Sequence, residues 1–375
     1  MSRPRRLGVT AALVDGEMLA GDVSLADGSI ESVGLPVGEG ARGVAVAGFV
    51  DLQVNGFAGV QFIDADSHEM SRAARALGRV GVVFASPTLY SSTVDRYSAA
   101  LGELAALLDA EPDCGLTGAH IEGPFLSPRW AGAHDPRTFL EPAPGVLATL
   151  CEAGPVATVT VAPELRGVSE VVVEATKRGL AVAVGHTDAS SGQCREAAAR
   201  GASMLTHCWN AHRRFTSRDP GPAGWALTDG AVTVGLVADG VHVAPEVLAI
   251  TFATAAGRVA LTTDAIAPAG TGAARWVPPD SADGTVVHVS GGAARLADGT
   301  LAGSVATPSD MLRVLLGAGV AFEDAVGAFH RPQAAALAMG EWSVRPGDAA
   351  HVVVLDDDCS VLGVWRAGAD LFGTG

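Results

Sequence analysis

Glu122, His186 and His207 stand at the ends of three separate apolar runs, and their side chains are the types that bind a divalent metal. A catalytic zinc site takes three ligands from His, Asp or Glu and keeps one position open for water. One histidine at a strand end is more often a hydrogen-bonded core residue. Three suitable residues at three such ends favour the metal reading. Hydrolysis at such a site also needs a group that takes a proton from water and returns it to a leaving amine. Asp264, at the end of the run VALTTDA, is the candidate, with a helix N-cap as its alternative role. His134 is a candidate donor to the oxyanion that forms on a substrate carbonyl.

These residues belong to a larger pattern. Eight short apolar runs, GFVDLQVNG, VGVVFASPT, LTGAHIEGP, ATVTVAPE, LAVAVGHTD, SMLTHCWNA, AVTVGLVADG and VALTTDA, each end on a polar or ionisable residue. Each has the length of a buried parallel strand, and most are separated by segments able to form a helix. The pattern predicts an α/β fold, a (β/α)8 TIM-type barrel whose strand tips share one cavity. Residues 7–46 read differently, as short alternating segments broken by Asp-Gly turns, and Ala350–Gly368 repeats that style. We therefore expect a small β-sandwich domain from residues 1–46 and 341–375, with the catalytic barrel inserted as residues 47–340. Segment 271–303 interrupts the alternation with Gly, Pro and Asp, and reads as a hairpin or lid near the last strand.

The chain has 375 residues, of which 48% are hydrophobic and 18% charged, a composition that suits a large buried core. Its formal net charge of −16 opposes nucleic-acid binding, which needs a basic surface. No apolar run reaches the length of a membrane span, and Asp15, Glu17 and Asp22 interrupt any secretory core after the basic start. A cytoplasmic protein is expected. The five cysteines have no CxxC spacing, which argues against a disulfide framework or zinc ribbon. Cys208, next to His207, reads as a small buried side chain, with thiolate ligation or nucleophilic catalysis as alternatives.

The strings GFVDLQVNG, GAHIEGPFLSP followed by GAHDP, VGHTDAS, THCWNA, ADGVHV, LTTDAIAPAG and LAGS occur in the order found in a known family. From about Gly48 to the C-terminal strands the chain resembles the N-acetylglucosamine-6-phosphate deacetylases of the amidohydrolase superfamily. The resemblance implies hydrolysis of the acetamide of N-acetylglucosamine 6-phosphate. It implies Glu122, His186 and His207 as metal ligands, Asp264 as acid/base, and His134 as the aid at the carbonyl. It places Ala133, Asn210, Ala211, Arg218, His242, Leu301, Ala302 and Gly303 at the substrate, and it implies a homodimer with Arg218 and His242 near the interface. Arg213, Arg214 and Arg218 form a basic cluster suited to a phosphate, an ordinary solvated loop being the alternative.

Many amidohydrolases carry His-x-His on the first strand and bind two metals, whereas this chain has Gln53 and Asn55 there. Neutral amides are poor zinc ligands, so one metal per subunit is expected, zinc first, with iron, cobalt or manganese as alternatives. Trp130 and His212 depart from the family pattern in loops around the sugar. They leave open another N-acyl amino sugar or N-acyl amino acid as substrate. A sugar-phosphate sensor on an inactive barrel is the non-enzymatic alternative.

Overall fold

The computed structural model describes residues 4–277 and 286–373. Eight parallel strands lie side by side in sequence order: Phe49–Val54, Val82–Tyr90, Ala119–Glu122, Val156–Val161, Ala181–Val184, Ala202–Leu205, Thr233–Leu236 and Val259–Leu261. Their β-branched runs are buried almost throughout, as strands covered on both faces must be. A parallel bridge between Val54 and Ala265 returns the first strand to the eighth and closes the barrel. Asp51 fastens that seam. Its buried carboxylate accepts hydrogen bonds from the Thr262 and Thr263 hydroxyls and from the Gln53 and Thr263 amides.

A helix follows each strand, and three of these helices begin with a reciprocal capping box at Asp66, Ser190 and Thr307. Such boxes satisfy two orphan amides at once and fix where these helices begin. Inside the barrel, below the tips, His120 Nε2 meets Thr160 Oγ1 at 2.7 Å, and Thr160 meets Thr206 at 2.8 Å. Burial depresses His120 to about 4, so it is a neutral member of the core. It stands two residues before Glu122, and strand parity therefore sends Glu122 to the same interior.

Both ends of the chain build the expected small domain. A six-stranded sheet runs in the order Ala369–Asp370, Val361–Arg366, Val352–Leu355, Val44–Ala47, Ala11–Val14 and Glu17–Ala20. A three-stranded sheet of Arg5–Arg6, Asp22–Ala26 and Ser29–Leu35 completes it. Val9, Val23, Ile30, Val352, Val354 and Trp365 are among the residues of their common core. The segment expected as a hairpin or lid forms strands Arg275–Trp276, Val287–Ser290, Ala293–Arg295 and Leu301–Ser304 in one antiparallel sheet, joined to the eighth strand's tip by an Ala265–Ser304 bridge. Its portion at 278–285 lies outside the described residues.

Where the barrel meets the small domain, Trp342 packs against Phe84, His330 and His351, with ring centroids 5.6, 4.5 and 5.1 Å away. His330 is 4% exposed, and burial lowers it from 6.5 to about 4. The unfolded chain therefore takes up a proton near pH 6.5 that the folded chain refuses until about 4. Stability is complete above pH 6.5 and falls as the pH drops between those two values, by up to roughly 3 kcal/mol from this group. Urea unfolding of His330→Phe should lose less stability between pH 7 and pH 5 than the wild type does. Equal losses would remove His330 as the cause.

Candidate active site

The tips of the third, fifth and sixth strands converge as the apolar runs predict. His186 Nε2 and His207 Nε2 lie 3.2 and 3.0 Å from Glu122 Oε1, and 3.1 Å from each other. All three side chains are buried. Three electron-pair acceptors this close repel one another unless a cation stands among them, so the donor set fits one divalent ion. His186 Nδ1 donates to the Trp130 carbonyl at 2.9 Å, which leaves the lone pair on Nε2, as a ligand requires. The backbone is strained at the same places. His186, His207 and Asp264 have φ of 46°, 28° and 47°, in the left-handed region that side chains rarely adopt. Each such residue costs about 1–3 kcal/mol, which the packed barrel offsets, and such strain gathers at sites that need a side chain aimed.

Asp264 faces the triad from the eighth tip. Its Oδ1 accepts from Asn55 Nδ2 at 2.8 Å and Gln53 Nε2 at 3.2 Å, while Gln53 Nε2 also reaches Glu122 Oε1 at 2.9 Å. The first-strand amides thus hold two carboxylates in place, and they bond Asp264 through Oδ1 and not Oδ2. Burial, and next the neighbouring Glu122 charge, push the Asp264 carboxyl up to about 6, near the range that suits a general base. His134 Nε2 stands 3.7 Å from Glu122 Oε2. Its Nδ1 accepts from the Ser91 amide at 3.2 Å, so Nε2 carries the hydrogen. Burial and the charge of His186 lower His134 to about 3, making it a neutral N–H donor aimed at the site.

Ala133, Asn210, Ala211, His242, Leu301, Ala302 and Gly303 all line one cavity of about 1120 Å3 with the triad, His134, Asn55 and Asp264. His242 Nδ1 is held by Asp239 at 2.7 Å, leaving Nε2 for a ligand. Gly303, at φ 115°, runs so close to the eighth tip that a Cβ would stand 2.9 Å from the Asp264 carbonyl. Arg218 is placed elsewhere: it is exposed and does not line the cavity of the single chain. Arg213 is committed to Asp219 at 2.6 Å and to the Asp188 carbonyl at 3.1 Å, so it braces a loop. His212 is also a brace, accepting from the Trp209 amide at 2.8 Å, and it does not reach the cavity. Trp130 does line it. Cys208 is fully buried, and burial pushes its thiol up, as expected of a packing residue.

Several lining residues were missed in the sequence. The run VGVVFASPT ends at Thr88, but the strand continues to Tyr90, and the polar segment Tyr90-Ser91-Ser92 marks its tip. Trp276, Val287, Arg295 and Thr300 come from the inserted sheet, whose composition carried no periodic sign of where its side chains would face.

A closed (β/α)8 barrel with a buried Glu-His-His set and an opposed aspartate at its strand tips defines an amidohydrolase. Among curated proteins, the chain is 33% identical over 343 residues to N-acetylglucosamine-6-phosphate deacetylase of Bos taurus, covering 87% of this chain and 82% of that protein. It therefore belongs to the N-acetylglucosamine-6-phosphate deacetylase family. It is 30% identical over 375 residues to N-acetylgalactosamine-6-phosphate deacetylase of Escherichia coli O157:H7, covering 98% and 97% of the two chains. Among solved structures, a variant N-acetyl-D-glucosamine-6-phosphate deacetylase from Mycobacterium smegmatis, in complex with N-acetyl-D-glucosamine-6-phosphate, superposes with a TM-score of 0.90 at 31% identity, over 99% of this chain and 100% of the other. The deacetylase from Thermotoga maritima gives 0.87 at 25% identity, over 99% and 100%. No protein-family model matches the chain.

Proposed function

We propose that this enzyme hydrolyses the acetamide of N-acetylglucosamine 6-phosphate to glucosamine 6-phosphate and acetate. The observation that carries the proposal is the opposition of Asp264 and His134 across the Glu122, His186 and His207 set, within one cavity. A divalent ion held by those three residues, for which we propose zinc at one per subunit, supplies Lewis-acid polarisation and acidifies water. Asp264 Oδ2 takes the proton from the attacking water. His134 Nε2–H steadies the oxyanion as the carbonyl becomes tetrahedral. Asp264 then returns its proton to the leaving nitrogen, and the carbon–nitrogen bond breaks.

We read Ala133, Asn210, Ala211, His242 and the 301–303 backbone as the sugar-phosphate contacts. Arg218, exposed in the single chain, has a place near the substrate only if the enzyme is a homodimer with Arg218 and His242 near the interface, and that assembly is part of the proposal. We keep the division at 46/47 and 340/341 between sandwich and barrel. The five free cysteines, four of them buried, suit the reducing cytoplasm proposed for it. No helix among the described residues is long and apolar enough to cross a membrane.

The galactosamine relative matches nearly the whole chain, which favours a second reading, the C4 epimer as substrate. Acetate release should be measured on N-acetylglucosamine 6-phosphate, its galactosamine and mannosamine isomers, and unphosphorylated N-acetylglucosamine. Metal content and sedimentation should be read on the same sample. The glucosamine phosphate should react fastest, with one metal per chain and a dimer. Faster galactosamine phosphate would move the assignment to the second reading, and equal rates without phosphate would remove the phosphate contacts.

A further inference from the structure

Asp188 stands two residues beyond the ligand His186, does not itself line the cavity, and is joined to it through Trp130. Its Oδ1 accepts from the Trp130 indole Nε1 at 2.9 Å, and its Oδ2 accepts from Arg129 at 2.8 Å. Trp130 in turn accepts from His186 Nδ1 through its carbonyl. The loop between them closes back on the same strand tip: the Ser127 amide donates to the His186 carbonyl at 2.9 Å, and the rings of His134 and His186 stand 4.4 Å apart. The tip is anchored from behind, because Glu164 accepts from the Thr187 hydroxyl and from the Asp188 amide at 2.6 Å.

We infer that Asp188 is a positioning residue. It latches the loop 127–134 through the Trp130 indole, so that one clamp sets both the orientation of the ligand His186 and the reach of His134. The one carboxylate holds an indole N–H and a guanidinium on successive loop residues. The geometry links that hold to the site. A metal-bound imidazole is oriented by the partner of its other nitrogen, and here that partner is a loop carbonyl, which is only as fixed as the loop itself.

The inference rests on the metal reading above, and its test uses a readout that needs no substrate. Metal retention against a chelator, and kcat and KM on N-acetylglucosamine 6-phosphate, should be compared for the wild type, Asp188→Ala, Asp188→Asn, Trp130→Phe and the Asp188→Ala/Trp130→Phe double variant. Asp188→Ala should weaken metal retention and lower kcat by about tenfold or more, the range for outer-shell partners. Asp188→Asn still accepts from the indole and should recover most of both. The double variant should be no worse than the worse single one, because both break the same link. Unchanged retention in Asp188→Ala, or losses that simply add in the double variant, would overturn the latch. A wild type that holds metal but hydrolyses none of the sugars would remove the functional reading and leave the latch standing.

Discussion

Replacing Asp264 with Asn is expected to lower kcat by about a thousandfold, within the range general acid–base groups contribute, while metal content stays near that of the wild type. The two first-strand amides make this a clean substitution. Gln53 and Asn55 both donate to Oδ1, so an asparagine will turn its carbonyl oxygen towards them and its NH2 group into the site. That NH2 group cannot take a proton from water or carry one to a leaving amine. Asp264 is not one of the three residues proposed to hold the ion, so its replacement should leave metal binding in place. Steady-state kinetics together with metal analysis check the prediction. Activity within tenfold of the wild type would sink the assignment of Asp264 as acid/base.

Glu122→Gln should fail differently, losing metal and turnover together. Glu122 is the sole anion of the set, and both imidazole Nε2 atoms face its Oε1. A neutral amide of the same shape keeps the packing but removes the charge that balances a buried cation. Loss of the Lewis acid costs several kcal/mol of transition-state stabilisation, about a thousandfold or more in rate. Excess metal should restore part of the activity here and none in Asp264→Asn. Full metal occupancy in purified Glu122→Gln, with the fold intact by circular dichroism, would remove Glu122 from the ligand set.

Both variants change residues that were legible in the sequence. Strand tips are readable because a parallel barrel forces its polar interruptions to one end; this is why Glu122, His186, His207 and Asp264 emerged together. From the sequence, Gln53 and Asn55 support only the expectation of one metal instead of two. Their positive role, holding Asp264 and Glu122, needed coordinates. Loop residues were read less well. Arg213 belongs to a cluster that suits a phosphate and His212 to a loop expected around the sugar, yet their hydrogen bonds point back into the loop. Nearness in sequence to a tip does not fix which way a loop side chain turns. The wall built by Trp276 and Arg295 was illegible for a further reason: short strands pinned to a neighbouring tip by one bridge carry no hydrophobic period of their own.

The interleaving of the two chain ends also bears on how the molecule is made. Val44–Ala47 lies between Ala11–Val14 and Val352–Leu355, with Ala47 facing Val352 in register. Apart from the seam between the first and eighth strands, barrel strands pair with sequence neighbours and can associate as they leave the ribosome, whereas this pairing spans most of the chain, the kind of contact that slows folding. Until the C-terminal strands are synthesised, one edge of Val44–Ala47 has no partner and is open to pairing with another nascent chain. That sheet therefore cannot be completed before residues 352–370 have been made, after every strand of the barrel.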